Sequence, residues 1–140
     1  MPLVVDASVA LAWALPDESS AYAEAVLIVV ETEGLRVPEL WAREIANGLA
    51  LAYRRKRIAS ADETAFLAAL SHLIIDVEEA SDAVTSIRDG TAAAMRYGLT
   101  AYDAAYVDLA SREKLTLATL DTSMRKAAEQ SGITIFQALH

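Results

Sequence analysis

Four acidic residues stand apart from the other acids of this chain by their positions. Asp6 and Asp121 each close a short apolar run, while Glu44 and Asp103 lie inside segments of helical character. If the fold brings the four carboxylates together, each pair at about 5 Å repels by roughly 3 kcal/mol at an effective dielectric constant of about 20. Such a cluster needs either protonation or a hard divalent cation.

The ligand types in this cluster favour Mg²⁺, with Mn²⁺ as a possible substitute, because both ions prefer oxygen ligands. Zinc is not expected, since the chain has no cysteine and its two histidines, His72 and His140, lie apart from the four acids. A bound divalent cation lowers the pKa of its water and shields a phosphate group. The cluster therefore indicates hydrolysis of phosphodiester bonds without a covalent protein nucleophile.

Three uncharged polar residues lie beside these acids. Ser8 follows Asp6 by two positions and could donate a hydrogen bond to a carboxylate or a phosphate. Thr119 precedes Asp121 by two positions, so both would lie on the same face of a strand. Asn47 comes one helical turn after Glu44. We interpret the three as residues that orient the carboxylates or contact the substrate; the two hydroxyls could alternatively be ordinary capping and strand-surface groups.

Each of the four acids also has a structural interpretation. Asp6 and Asp121 could cap the helices that follow them, and Thr100 with Asp103 fits a capping box. Glu44 falls on the apolar side of its helix, or at the boundary of that side, from which it could reach solvent. Capping does not exclude metal binding, because a carboxylate at a helix N-terminus can still face a cleft.

The elements that must position these residues alternate between short apolar runs and helical segments. Pro16 ends one predicted helix, and Gly34, Gly98 and Gly132 end three others. Alternation of this kind predicts an α/β fold with a parallel sheet covered on both faces, in which functional groups gather beyond the carboxyl ends of the strands. The predicted strands are residues 3–5, 35–37, 73–77, 115–120 and 133–136.

Length and composition limit the possible classes of protein. The 140 residues, 54% of them hydrophobic, predict a single domain over residues 1–140 with one core. The lack of cysteine fits a reducing compartment. No run reaches the ~20 apolar residues of a membrane span, and no basic leader precedes the first strand. We therefore expect a soluble cytoplasmic protein.

The net charge of −8 argues against broad electrostatic binding of nucleic acid, although it does not exclude a nuclease with an acidic metal site. Basic residues are concentrated in one cluster, Arg54, Arg55, Lys56 and Arg57. This basic cluster could be the cationic end of a helix, which the helix dipole favours. It could also form a rim that contacts phosphate groups.

The motifs around the acids resemble those of a known family when they are taken in order along the whole chain. The chain is similar to the PIN-domain ribonucleases, specifically to the VapC-type toxins of toxin–antitoxin pairs. The motifs that carry the resemblance are residues 4–8 with Asp6, followed by residues 13–18; residues 38–41, leading to Glu44 and Asn47; residues 99–106 with Asp103; and residues 117–121 with Asp121.

This resemblance implies a PIN-like three-layer α/β/α sandwich with a short, mainly parallel central sheet. It implies that Asp6, Glu44, Asp103 and Asp121 bind Mg²⁺ and serve as the catalytic residues of an endoribonuclease. It also implies a homodimer and a cognate antitoxin protein as partners. The alternative within the family is a catalytically weak PIN module that acts through protein–protein interaction.

Two other classes of small α/β protein fit the motifs less well. A response-regulator receiver needs adjacent acids after its first strand, but Ala7 follows Asp6. A haloacid-dehalogenase-like phosphatase needs a second aspartate two residues after the first, and that position is Ser8.

Overall fold

Four short parallel strands form the central sheet of this computed structural model, which describes residues 1–138. Their spatial order is β3-β2-β1-β4, and every neighbouring pair is parallel. The strands are β1 (Leu3–Val5), β2 (Leu35–Val37), β3 (Ile75–Val77) and β4 (Leu117–Ala118). The central strands are shielded from solvent, since Val4, Val5 and Leu117 are fully buried. This is the pattern of a parallel sheet covered on both faces.

Helices connect the strands and cover the sheet. They are α1 (Ala7–Ala14), α2 (Ala21–Glu33), α3 (Leu40–Arg54), α4 (Ser60–Ser71), α5 (Ala83–Tyr97), α6 (Ala101–Glu113) and α7 (Thr122–Gln130), with a 3₁₀ turn at Pro16–Glu18. Within residues 1–138, no helix is both long and apolar enough to cross a bilayer.

The helices fall into two layers. Helix α1 contacts α2, α3 and α4, whereas α6 contacts α5, α7, β1 and β4. Parallel strands are joined by right-handed crossovers. When the chain reverses the direction in which it adds strands to the sheet, its connecting helices therefore pack on the opposite face. The chain moves from β1 out to β3 and then returns to β4 on the other side of β1. The α/β/α sandwich predicted from the sequence is therefore confirmed, and its sheet is wholly parallel.

The reversal of strand order creates a topological switch point between β1 and β4. In open α/β sheets, the carboxyl ends of the two strands at such a point diverge and leave a crevice in which ligands bind. Asp6 directly follows β1, and Thr119 directly follows β4. The fold thus places two of the predicted site residues at the mouth of this crevice.

Some predicted boundaries are wrong, most clearly at the end of the chain. Residues 133–136 do not form a regular strand; Ile135 makes only an isolated parallel bridge to Leu117. The reason is that the amide of Ile133 is taken by the carbonyl of Ala128, at the end of α7, so pairing starts late. The strands predicted over 73–77 and 115–120 shorten to β3 and β4, while those over 3–5 and 35–37 are confirmed.

Candidate active site

Asp6 is the most buried acid of the site, with a relative exposure of 2%. Its Oδ1 caps α1 by accepting from the amide of Val9 at 3.1 Å, and it also accepts from the Ser8 hydroxyl at 2.7 Å. Its Oδ2 accepts from the Thr119 hydroxyl. Burial raises the pKa of Asp6 to about 6, although these hydrogen bonds favour the ionised form. The capping interpretation is confirmed here, and it leaves the carboxylate at the switch point.

Thr119 joins the ends of β1 and β4. Its hydroxyl donates to Asp6 and accepts from the amide of Asp121 at 2.9 Å, so one oxygen connects the two acids. The Ser8 hydroxyl accepts from the amide of Leu120 at 3.3 Å and closes the same connection from the β1 side. The predicted orienting roles of Ser8 and Thr119 therefore match hydrogen bonds to the acids or to the backbone beside them.

Asp121 caps α7, because its Oδ1 accepts from the amide of Met124 at 2.7 Å. Asp103 lies in the first turn of α6, where the hydroxyl of Thr100 accepts from its amide at 3.1 Å. Three of the four acids thus sit at helix N-termini, where unpaired amides and the helix dipole favour negative charge. These ends can also attract the phosphates of a substrate.

Glu44 projects from the second turn of α3 and is half-buried. Its Oε1 accepts a hydrogen bond from the hydroxyl of Tyr106, a side chain of α6 that is only 1% exposed. Burial raises the pKa of Glu44, and the charge of Asp103 raises it further, while the Tyr106 hydrogen bond acts in the opposite direction. Burial and the hydrogen bond to Glu44 also raise the pKa of Tyr106, which keeps it a donor.

The charges of neighbouring acids contribute to the pKa shifts in this group. Burial raises the pKa of Asp103, and the charge of Asp121 adds to that shift. The charge of Asp121 also raises the pKa of Asp6, as the least of the causes there, and the charge of Asp103 raises the pKa of Glu44. These pairwise contributions link Asp121 to Asp6 and to Asp103, and Asp103 to Glu44.

The chemistry of this donor set fits a hard divalent cation. Carboxylate oxygens are the ligands that Mg²⁺ prefers, and a cation would favour the ionised form of acids whose pKa values are raised by burial and, less strongly, by neighbouring charge. As the side chains stand, however, no three acidic or histidine side chains within residues 1–138 are close enough together to hold a metal ion. His72 is exposed at the end of α4, and His140 lies outside the described residues.

The structure does not bring two other groups of predicted residues into the site. Asn47 is exposed on α3 and takes no part in the hydrogen bonds around the acids within residues 1–138. Arg54, Arg55 and Lys56 are exposed at the end of α3, roughly 15 Å along the helix from Glu44. Arg57 is occupied, because its guanidinium forms two hydrogen bonds, of 2.9 and 3.0 Å, with Asp17.

Sequence reasoning missed three residues that support the site: Tyr106, Tyr22 and Arg125. The hydroxyl of Tyr22 accepts from the amide of Thr119 at 3.4 Å, and the guanidinium of Arg125 donates to the Thr119 carbonyl at 3.1 Å. Tyr106 follows Asp103 by three positions, so helical periodicity could have placed both on one face of α6. No local pattern points to Tyr22, which lies 97 positions from Thr119.

Comparison with known proteins agrees with this architecture. The PIN domain family matches residues 3–130. Ribonuclease VapC3 of Pyrobaculum aerophilum is 36% identical over 124 residues, covering 89% of this chain and 92% of that protein. Ribonuclease VapC9 of Mycobacterium tuberculosis is 32% identical over 134 residues, covering 95% and 97% respectively.

Similarity of fold extends to a solved structure. The crystal structure of PAE2754 from Pyrobaculum aerophilum superposes with a TM-score of 0.70 at 24% identity, covering 96% of this chain and 83% of the other. The sequence match spans nearly the whole chain, and the four-stranded parallel sheet has the same fold as this neighbour. The chain therefore belongs to the PIN-domain family, within the group of VapC ribonucleases.

Proposed function

We propose that this chain is an Mg²⁺-dependent endoribonuclease and the toxin of a toxin–antitoxin pair. The observation that carries the proposal is geometric: the Thr119 hydroxyl donates to Asp6 and accepts from the amide of Asp121 at the switch point of the sheet. These four residues would hold the cation, with Mn²⁺ as a substitute. When bound, the cation supplies a polarised water for attack on the phosphodiester and neutralises charge on the phosphate.

The remaining work falls to side chains that hold the carboxylates in place. Ser8 and Thr119 fix the two oxygens of Asp6, and Tyr106 fixes one oxygen of Glu44. Fixed orientation matters because small displacements of catalytic groups lower the rate steeply. The N-termini of α1, α6 and α7 add oriented amides that favour the negative phosphate.

A nuclease of this kind also needs surfaces that hold single-stranded RNA. Tyr102 precedes Asp103 and is 65% exposed, so its ring is available for stacking on an unpaired base beside the acids. Arg54, Arg55 and Lys56 are exposed and available for phosphate contacts. Arg57 is a weaker candidate for phosphate contact, because Asp17 already holds its guanidinium.

The proposed protein partners are a cognate antitoxin and a second copy of this chain. An exposed apolar stripe on α5 supports a protein partner on that face: Val84, Ile87 and Met95 are 70%, 69% and 80% exposed. Overproduction of the chain without its antitoxin should slow bacterial growth. Normal growth with soluble, cleavage-competent protein would contradict the toxin role and leave the nuclease proposal standing.

The nuclease proposal is tested by incubating purified, antitoxin-free protein with total cellular RNA in Mg²⁺, in Mn²⁺ and in EDTA. We expect discrete cuts that require the metal and vanish in Asp103→Asn. Asp108→Asn is the matched control, because Asp108 lies on the same helix but pairs with Arg112 at 2.7 Å, outside the site. Equal cleavage by Asp103→Asn and wild type would contradict the assignment of the site. Folded protein that neither cuts RNA nor binds metal would favour the interaction module.

A further inference from the structure

The backbone of Thr119 is held by side chains from two helices that belong to opposite layers. Its amide donates to the hydroxyl of Tyr22, on α2, at 3.4 Å. Its carbonyl accepts from the guanidinium of Arg125, on α7, at 3.1 Å. Thr119 lies one residue beyond the last residue of β4, so strand pairing no longer satisfies these groups. Two side chains take over where the sheet ends.

Tyr22 and Arg125 are themselves fixed in place. The Arg125 guanidinium carbon lies 5.5 Å from the centre of the Tyr22 ring, which is a cation–π contact. The Tyr22 hydroxyl donates to the carbonyl of Phe136 at 2.9 Å, and the two rings meet edge to face at 5.8 Å. Within residues 1–138, Arg125 forms no salt bridge, and its buried Nε has no hydrogen-bond partner. Its clearest contacts are therefore with the Thr119 carbonyl and the Tyr22 ring.

Thr119 links the side chain of Asp6 to the backbone of Asp121. Its hydroxyl is shared between Asp6, to which it donates, and the amide of Asp121, from which it accepts at 2.9 Å. Thr119 is fully buried, so no water can replace either contact from the solvent side. Any rotation of its backbone would therefore disturb both hydrogen bonds at once, and with them the alignment of Asp6 relative to Asp121.

We propose that Tyr22 and Arg125 form a clamp on the backbone of Thr119 that sets the relative orientation of Asp6 and Asp121 and thereby the rate of RNA cleavage. The proposal rests on the proposed function. Neither clamp residue bonds directly to one of the four acids, so both are positioning residues. Groups that orient metal-binding side chains typically change metal affinity or activity by about 10- to 100-fold when they are removed.

The test compares Tyr22→Phe with wild type. This substitution removes the hydroxyl but keeps the ring for Arg125 and Phe136. We expect kcat for RNA cleavage to fall by about tenfold or more with KM nearly unchanged, and Mn²⁺ affinity of the RNA-free protein, measured by calorimetry, to fall by a similar factor. Tyr97→Phe is the matched control, since Tyr97 also has an arginine over its ring, Arg96 at 5.9 Å, but lies on α5.

Arg125 provides an independent arm of the same experiment. Arg125→Met should lower kcat and Mn²⁺ affinity as Tyr22→Phe does, and Arg125→Lys, which keeps one donor, should recover part of the loss. Because both residues act through Thr119, the double variant should lose less than the product of the two single losses. Fully independent losses would contradict a shared clamp.

The outcomes separate the clamp from the proposed function. If wild type and Tyr97→Phe cleave RNA and bind Mn²⁺, but the folded Tyr22 and Arg125 variants match them in kcat and Mn²⁺ affinity, the clamp is refuted and the nuclease stands. A change in melting temperature alone would also refute the clamp, because a purely structural role predicts that result. If wild type neither binds Mn²⁺ nor cleaves RNA, the proposed function fails and the clamp fails with it.

Discussion

At the scale of single residues, the site is held in a state that costs the metal-free protein stability. Asp6 is almost fully buried, and its hydrogen bonds from Ser8, Val9 and Thr119 do not fully replace water around an ionised carboxylate. Burial therefore raises its pKa from 3.8 to about 6. A bound cation would offset the free-energy cost of burying the ionised carboxylate, so metal binding should stabilise the fold.

The pKa of Asp6 predicts how stability depends on pH. Between about pH 4 and about pH 6 the folded state binds more protons at Asp6 than the unfolded state does, so stability falls as pH rises through this window. The full effect, reached near neutral pH, is about 3 kcal/mol. In EDTA, Asp6→Asn should be more stable than wild type near pH 7, by roughly 1–3 kcal/mol.

Urea unfolding at several pH values checks this prediction. The advantage of Asp6→Asn should shrink towards about pH 4 and vanish below about pH 3, where wild-type Asp6 is protonated in both states. Added Mg²⁺ should reverse the order near neutral pH by stabilising wild type alone. Asp108→Asn serves as control, because it removes a charge paired with Arg112 outside the site and should give no such gain. A pH-independent difference between wild type and Asp6→Asn would contradict the burial argument.

Residues of the site differ in how visible they are in the sequence. Asp6 and Asp121 can be found because each follows an apolar run and precedes a helix, so topology alone sends both to the same edge of the sheet. Glu44 can be found because an acid on the inner side of a helix demands an explanation. The partner of Glu44, Tyr106, is 62 positions away, and only the packing of α3 near α6 makes it a partner.

At the scale of elements, the site depends on how closely the helices that carry its acids approach one another. Helix α1 follows Asp6, helix α3 carries Glu44, and the two helices are in contact. Gly48 allows this approach: a Cβ at that position would lie 2.5 Å from a terminal methyl of Leu11 on α1. Gly48 is one turn beyond Glu44, so a change in helix spacing there would move a carboxylate of the site.

We predict that Gly48→Ala forces the Leu11 side chain to shift and destabilises the fold modestly, with a correspondingly small loss of RNA cleavage. Overpacking typically costs about 1–3 kcal/mol, and the better helix propensity of alanine offsets about 1 kcal/mol of it. Gly90→Ala is the matched control, because nothing lies within 4 Å of a Cβ at that position on α5. The control should gain up to about 1 kcal/mol and keep full activity. Equal behaviour of the two variants in urea unfolding would contradict close packing of α1 on α3.

The apolar runs and the glycine and proline residues between them predicted which helices and strands exist, but not where each one ends. Gly34 and Gly98 end α2 and α5 as predicted, because their positive φ angles of 78° and 65° suit glycine. The end of the chain was mispredicted because residues 133–136 are apolar enough for a strand. Whether such a run pairs depends on how α7 ends, and that is decided by the Ile133 amide bonding to Ala128.

At the scale of the whole molecule, the charge distribution separates the proposed cleavage site from the exposed basic residues that we propose hold RNA. The net charge of −8 includes the four acids of the site, so the cleft repels a phosphate backbone until a cation is bound. The exposed basic residues Arg54, Arg55 and Lys56 lie at the far end of α3, roughly 15 Å from Glu44. An RNA strand that reaches both sites would be anchored by its phosphates and cut at the cation.

This arrangement predicts how RNA binding depends on salt. The double variant Arg55→Gln, Lys56→Gln should raise KM several-fold with kcat nearly unchanged. The slope of log affinity against log salt concentration should also become less steep by about 1.4, which is the contribution of two contacts to single-stranded phosphates. Arg57→Gln is the control, because the Arg57 guanidinium is already paired with Asp17. This variant should therefore leave the slope unchanged. Titration of a non-cleavable RNA at several salt concentrations measures both quantities. An unchanged slope in the double variant would contradict phosphate contacts by Arg55 and Lys56. Their positions would then be explained by the helix dipole, which favours cations at the end of α3.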